Sequence, residues 1–405
     1  MPGAGALGRP RWLLQVLWLC VLVVVTLLGA CATPQERPLS HKAPIGAFLT
    51  TGASPTDPSR VDPRVQRAGV VGTMEELAGR PIKILELSGG GQYGAFGAGF
   101  LNGWTQSGTR PQFDLVTGIS TGALLATHAF LGTPADDAVL KRIYTGIDRR
   151  DIYRSDTFGA LSGGPALNET DPMWALIEKV ITPEVLERVA AEWDKNRRLF
   201  VAATNLDYKR VWVFSLSKIA KQGGPQALDL YRKVLYAAAS PPVVFPPVEI
   251  DGHLFGDAAV RENLLLMGLL GAGPPQRYPK SEQGQVYVIV NGQANTPPEA
   301  LPDVLGPIAG DALNAILNGR MDTTLVLAYA GARLHGYGFN MVAIPDDVKV
   351  SGKPLAFDQA EMRRVFAAGE RLGRSPNPWL HRPPASDQLG PWVIGFFDHL
   401  DQIRR

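Results

Sequence analysis

The sequence predicts an α/β protein: a three-layer α/β/α sandwich around a mainly parallel central sheet, followed by a mainly helical C-terminal extension. Three observations predict it. From Pro81 onward, short apolar runs alternate with helical stretches, the pattern of a sheet whose strands are joined by helices. The runs are apolar almost throughout rather than at every second position, as expected of parallel strands buried on both faces. At 405 residues, with 45% hydrophobic and 19% charged content, the chain can fill the large core this architecture needs.

Taken in order, the expected strands are 82–88 ("IKILELS"), 113–119 ("FDLVTGI"), 197–206 ("RRLFVAATNL"), 210–215 ("RVWVFS") and 285–291 ("QVYVIVN"). Helices fit at 92–106, at 121–132 and over a polar insertion at 172–195. There Thr170 or Asp171 can cap, and Pro172 suits a first turn. Asp251-Gly252 is a hairpin-turn signal, and its return strand "HLFGD" ends on Asp257. The segment 298–376 reads as mainly helical, interrupted by a strand at 338–344.

The N-terminus reads differently. Arg9 and Arg11 precede an apolar run from Trp12 to Leu28, and "LLGAC" puts small residues before Cys31. This resembles a bacterial lipoprotein signal. The resemblance implies cleavage after Ala30, lipid attachment at Cys31 and, with Ala32 following, passage to the outer membrane. A short uncleaved anchor is the other reading. Residues 31–80, rich in Pro, Ser, Thr and Gly, suit a flexible tether with little order. The expected organisation is signal 1–30, tether 31–80, an α/β core 81–295 and a mainly helical part 296–405 packed on the core. Cys20 leaves with the signal, so no internal disulfide is expected. With 40 basic and 38 acidic residues the formal charge is +2, too balanced to favour a nucleic-acid partner. The histidines and carboxylates lack metal-ligand spacing, and neither metal nor cofactor is expected.

The first motif is "LSGGGQYGAFGAGF". Gly89, Gly91 and Gly94 fit the dinucleotide spacing G-x-G-x-x-G after a strand, but the candidate ribose-binding acid, Asp114, opens the second strand instead of closing it. A phosphate-binding P-loop fails because Ala95 stands where lysine is required. Three successive glycines at a helix start do present N–H groups to an oxyanion. The following small residues, Gly97, Ala98 and Gly99 among them, also let this helix lie close to its neighbours.

The second motif places Ser120 in Gly118-Ile119-Ser120-Thr121-Gly122, between a strand and a helix. That is the nucleophile-elbow context, in which glycines two residues away relieve the crowding of a strained serine. An N-cap serine is the plainer reading. Neither His335 nor His381 nor His399 sits in a strong loop signal for a base, whereas the stretch 240–263 offers Asp257, with Asp251 as a rival.

As a set these residues resemble the patatin-like phospholipases over about Ile82 to Asn291. The family's glycine stretch maps to Gly89, Gly90, Gly91, Gln92, Tyr93 and Gly94, its nucleophile to Ser120, and its aspartate segment to Asp257, Ala258, Ala259, Val260 and Asn263. The resemblance implies a Ser120–Asp257 dyad without histidine. It also implies an oxyanion hole at Gly89, Gly90, Gly91 and Gly94, and hydrolysis of fatty-acyl esters of membrane lipids, which are the expected substrate partners. A lipidated Cys31 would hold the enzyme at the membrane. Tyr93 replaces the usual basic residue, and Ala258 replaces a glycine. The "SPPVVFPP" loop either lines acyl access or is a rigid connection. The rivals are a noncatalytic lipid-binding or scaffold lipoprotein on the same fold and a nucleotide-binding oxidoreductase.

Overall fold

The computed structural model describes residues 38, 40, 47–49, 77, 81–156, 164–265, 284–294, 315 and 321–384. The expected signal at 1–30 and Cys31 lie outside the described residues, as does His399. Nine strands form one sheet: β1 (Ala47–Leu49), β2 (Lys83–Leu87), β3 (Leu115–Gly118), β4 (Arg198–Asn205), β5 (Arg210–Ser215), β6 (Val248–Ile250), β7 (His253–Asp257), β8 (Gln285–Gln293) and β9 (Gly338–Ile344). Their order is β1-β5-β4-β3-β2-β8-β9, with the β6–β7 hairpin hung from β4. The run β9-β8-β2-β3-β4 is parallel; β5, β1 and the hairpin are antiparallel. β3 and β4 are buried along their whole length, as apolar runs between two layers must be.

Helices α1 (Gly94–Gln106), α2 (Thr121–Leu131), α3 (Pro134–Gly146), α4 (Asp171–Val180), α5 (Pro183–Trp193), α6 (Leu216–Gln222), α7 (Gly224–Ala238) and α9 (Gln359–Gly373) belong to one face, where their apolar sides meet Leu85, Leu87 and Val116. α8 (Met321–Leu334) covers the other, over Ile84, Leu115 and Val286. The protein is therefore an α/β/α sandwich with a mixed, mainly parallel sheet and a C-terminal helical extension. Among the described residues no helix is long and apolar enough to cross a membrane.

The glycines of α1 do bring helices together. A Cβ at Gly99 or Gly103 would lie 2.0 Å or 2.1 Å from a carbonyl oxygen of α9, and one at Gly369 would lie 2.3 Å from the Phe96 oxygen. Two helices in such contact cannot admit a side chain between them.

Two expectations differ from the structure. The polar insertion is two helices: Pro183 disfavours a helical Thr182 before it, and Thr182 instead caps α5 by accepting from the Val185 N–H. Within the stretch expected to lack order, Ala47–Leu49 pairs with β5 at the sheet edge, satisfying backbone groups that an edge strand leaves open. Nearby, Ser40 donates to the Asp251 carbonyl and accepts from the Tyr208 hydroxyl.

Candidate active site

The sheet register delivers the two candidate reacting residues to one place. β3 runs along one edge of β4 and ends with Gly118 opposite Val201; β7 runs the other way along β4 and ends with Asp257 opposite Ala203. Two strand ends thus meet head-on, two β4 residues or about 7 Å apart. Ser120 follows the first end and Asp257 closes the second.

Ser120 has φ 55° and ψ −126°, a positive-φ conformation outside the αL region that costs a non-glycine residue energy. The turn has no room to relax. A Cβ at Gly118 would sit 2.3 Å from the Gly122 oxygen, and one at Gly122 would sit 2.2 Å from the Leu87 oxygen. Ser120 occupies the N-cap position of α2, yet its side chain makes no capping hydrogen bond. The plainer reading of this serine therefore lacks the bond it requires, and the hydroxyl faces a cleft lined by Gly90, Gly91, Pro241, Asp257 and Ala259.

Asp257 is 1% exposed. Its Oδ1 accepts the Ala259 N–H at 2.8 Å, while Oδ2 has no hydrogen-bond partner among the described residues. Burial pushes the carboxyl up to about 7, partly offset by the Ser120 hydroxyl and the Ala259 N–H. The Ser120 hydroxyl is thus a polar neighbour of this carboxyl. Ala258 does not need a positive φ, so replacing glycine there brings no strain.

The glycine stretch lies across the same cleft. Gly89 packs so tightly that an added Cβ would be 3.3 Å from Ser120 Cβ and 3.4 Å from Asn263 Oδ1, which draws all three sequence motifs together. Gly90 and Gly91 have φ of 149° and 56°, conformations suited to glycine. Asn291 fixes the turn from β8: its N–H donates to Ser88 Oγ, its Nδ2 to the Ser88 carbonyl, and its Oδ1 accepts from Gly97. Gly94 has a different part from the expected one. Its N–H is spent on the carbonyls of Gly91 and Gln92, and its missing side chain makes room for Thr121 Oγ1 and Tyr144.

From Ser120 an apolar chamber extends between α2, α3, α4 and α7. Leu124, Ile143, Ile177, Val180 and Leu235 are among its walls, with Pro241 and Phe245 of the "SPPVVFPP" loop at the side. That loop also anchors the site, since the Asp257 N–H donates to the Ser240 carbonyl. The reading of the sequence found neither α3 nor α7, although Thr133 and Asp136 form a capping box and Pro225 stands at the start of α7.

The rival residues lie elsewhere. Asp251 is exposed in the β6–β7 turn, where Asp251 and Gly252 have φ of 50° and 81°. His335 precedes β9 beside Tyr337, and His381 Nδ1 lies 3.2 Å from the Phe339 carbonyl, so both are at the N-terminal ends of the parallel strands, opposite the cleft. Asp114 lies at that end as well, accepting from the Lys83 N–H, far from the glycine turn.

Residues 85–270 match the family described as patatin-like phospholipase. No curated protein matches the chain. Among solved structures the chain is similar to VipD from Legionella pneumophila, at 13% identity and a TM-score of 0.40 over 73% of this chain and 66% of that one.

Proposed function

We propose that the protein is a serine acyl hydrolase acting on fatty-acyl esters of membrane lipids. The observation that carries the reading is the juxtaposition of a strained, uncapped Ser120 with a buried carboxyl at the mouth of an apolar chamber. Ser120 Oγ attacks the ester carbonyl carbon while Asp257 takes its proton. The tetrahedral oxyanion is received by N–H groups of the glycine turn at Gly89, Gly90 and Gly91. Collapse breaks the bond to the alcohol, which leaves with the proton held by Asp257. Water then attacks the acyl-serine, giving a proton to Asp257; collapse breaks the bond to Ser120 Oγ, which takes that proton back, and the fatty acid departs. A carboxyl near 7 is a far better base at neutral pH than an ordinary aspartate. Losing one oxyanion donor costs about 10² to 10³ in turnover. The chamber's walls favour an alkyl chain over a sugar or a nucleotide.

Lipid attachment at Cys31 would place this activity at a bilayer, in keeping with the lipoprotein-like sequence around it. Hydrolysis of long-chain esters by wild type, Ser120→Ala, Asp257→Asn and His335→Ala tests the chemistry. Activity should vanish in the first two variants and persist in the third; a dead His335→Ala with an active Asp257→Asn refutes the assignment. Cys31→Ser should release the protein from membranes, and retention as an integral protein would favour an uncleaved anchor.

A further inference from the structure

The oxyanion turn supports more than its own cleft. After β9 the chain returns over the site as a strap, 351–358, which lies outside the segment matched to the family. Pro354 lines the Ser120–Asp257 cleft, Phe357 lines the apolar chamber, and Leu355 lines both. The strap therefore lies along the boundary between the reacting atoms and the space that would hold the first carbons of an acyl chain.

It is fastened at both margins. On the glycine turn, the Gln92 N–H donates to the Pro354 carbonyl at 2.7 Å. The Gln92 side chain donates to the Lys353 carbonyl and to Glu361 Oε2 and accepts from the Asp358 N–H. Glu361 in turn accepts from the Ser351 N–H. Gly91 approaches so closely that a Cβ would sit 2.1 Å from the Pro354 oxygen. Across the chamber, the Tyr153 hydroxyl donates to the Leu355 carbonyl at 3.0 Å, and its ring packs between Phe245 and Phe357. Phe357 is itself held at φ 48°, a conformation a bulky residue adopts only when its surroundings impose it. Tyr93, where the family has a basic residue, lines neither cavity. Its hydroxyl is buried 3.4 Å from Ser351 Oγ, and Glu361 is close enough to act on it electrostatically.

We infer that this strap is a specificity-determining wall: Leu355 and Phe357 confine the acyl group beside Ser120 to a single unbranched chain, and Gln92 is the positioning residue that holds them there. The inference rests on the acyl-hydrolase reading and names the substrate class within it, straight-chain acyl esters. Departure from the family at Tyr93 then has a reason, because that position serves the strap and not the oxyanion.

The test compares kcat/KM for p-nitrophenyl esters of butyrate, laurate and the α-branched pivalate in wild type, Leu355→Ala, Phe357→Ala, the milder Leu355→Val and Phe357→Leu, and Gln92→Met. Fluorophosphonate labelling and thermal melts accompany each. The laurate-to-pivalate ratio should fall at least about tenfold in either alanine variant and less in the milder pair. Gln92→Met should lower the ratio through KM for laurate, with kcat for butyrate little changed. Variants that label and hydrolyse with the wild-type ratio overturn the strap inference alone. A wild type that neither labels nor hydrolyses any of the three esters overturns the acyl-hydrolase reading and the inference with it.

Discussion

Replacing Asp257 with asparagine should stabilise the folded protein at alkaline pH while abolishing hydrolysis. The carboxyl is fully buried, one of its oxygens has no hydrogen-bond partner among the described residues, and burial raises it from 3.8 to about 7. Below about pH 4 it is protonated in both folded and unfolded chains and costs nothing. Between 3.8 and about 7 the unfolded chain releases its proton while the folded chain retains it, so stability falls as pH rises and stays low above that window. The full penalty is about 4 kcal/mol for a carboxyl displaced from 3.8 to about 7. Asparagine has nearly the same shape and no charge to bury. Its advantage should be absent near pH 4 and reach about 4 kcal/mol by pH 8 or 9, on the order of 5–10 °C in Tm. Guanidinium or thermal unfolding of both proteins across that range measures it. An asparagine variant destabilised to the same extent at every pH would mean that Asp257 is an ordinary structural acceptor, and the argument for its basicity would fail.

Other consequences are independent of that one. The kcat/KM profile should rise with pH through a single ionisation near 7 and level off above it; a rise centred near 4 would point to an unperturbed carboxylate elsewhere. Gly122→Ala places a Cβ 2.2 Å from the Leu87 oxygen, backbone against backbone, so it should cost about 3 kcal/mol or prevent folding, as denaturant melts will show. Gly369→Ala, with its Cβ 2.3 Å from the Phe96 oxygen, should wedge α9 off α1 and destabilise by about 1–3 kcal/mol without changing which residue a fluorophosphonate labels.

What the sequence reveals follows how local the cause is. The strand over 338–344 has the same bounds in the structure, because a parallel strand buried on two faces must be apolar nearly throughout. The Asp251-Gly252 turn was legible because its positive φ values select those residue types. The strained turn at Ser120 announces itself through Gly118 and Gly122, each required by a carbonyl within 2.4 Å of where a Cβ would be. Gly94 was harder: the spacing places it with the other glycines, but its N–H closes a helical turn and its value is the space left for Thr121 and Tyr144. α3 and α7 mix polar and apolar residues, so their patterns gave no clear element, yet Ile143, Tyr144 and Leu235 from them line the chamber. Nothing near Leu355 or Phe357 in the sequence signals that they line a cavity with Ser120, since that placement spans more than two hundred residues and is held by Gln92 and Tyr153. The strand Ala47–Leu49 escaped for a related reason: three residues acquire order only from the open edge of β5.

The central claim is that the Ser120 oxygen is the nucleophile. Treating the intact protein with a fluorophosphonate at pH 8 and mapping the adduct by peptide mass spectrometry tests it most directly. One phosphonyl group per chain on Ser120, and none on Ser120→Ala, is the predicted result. Ester turnover that survives in Ser120→Ala, or an adduct on a different residue accompanying loss of activity, would contradict it.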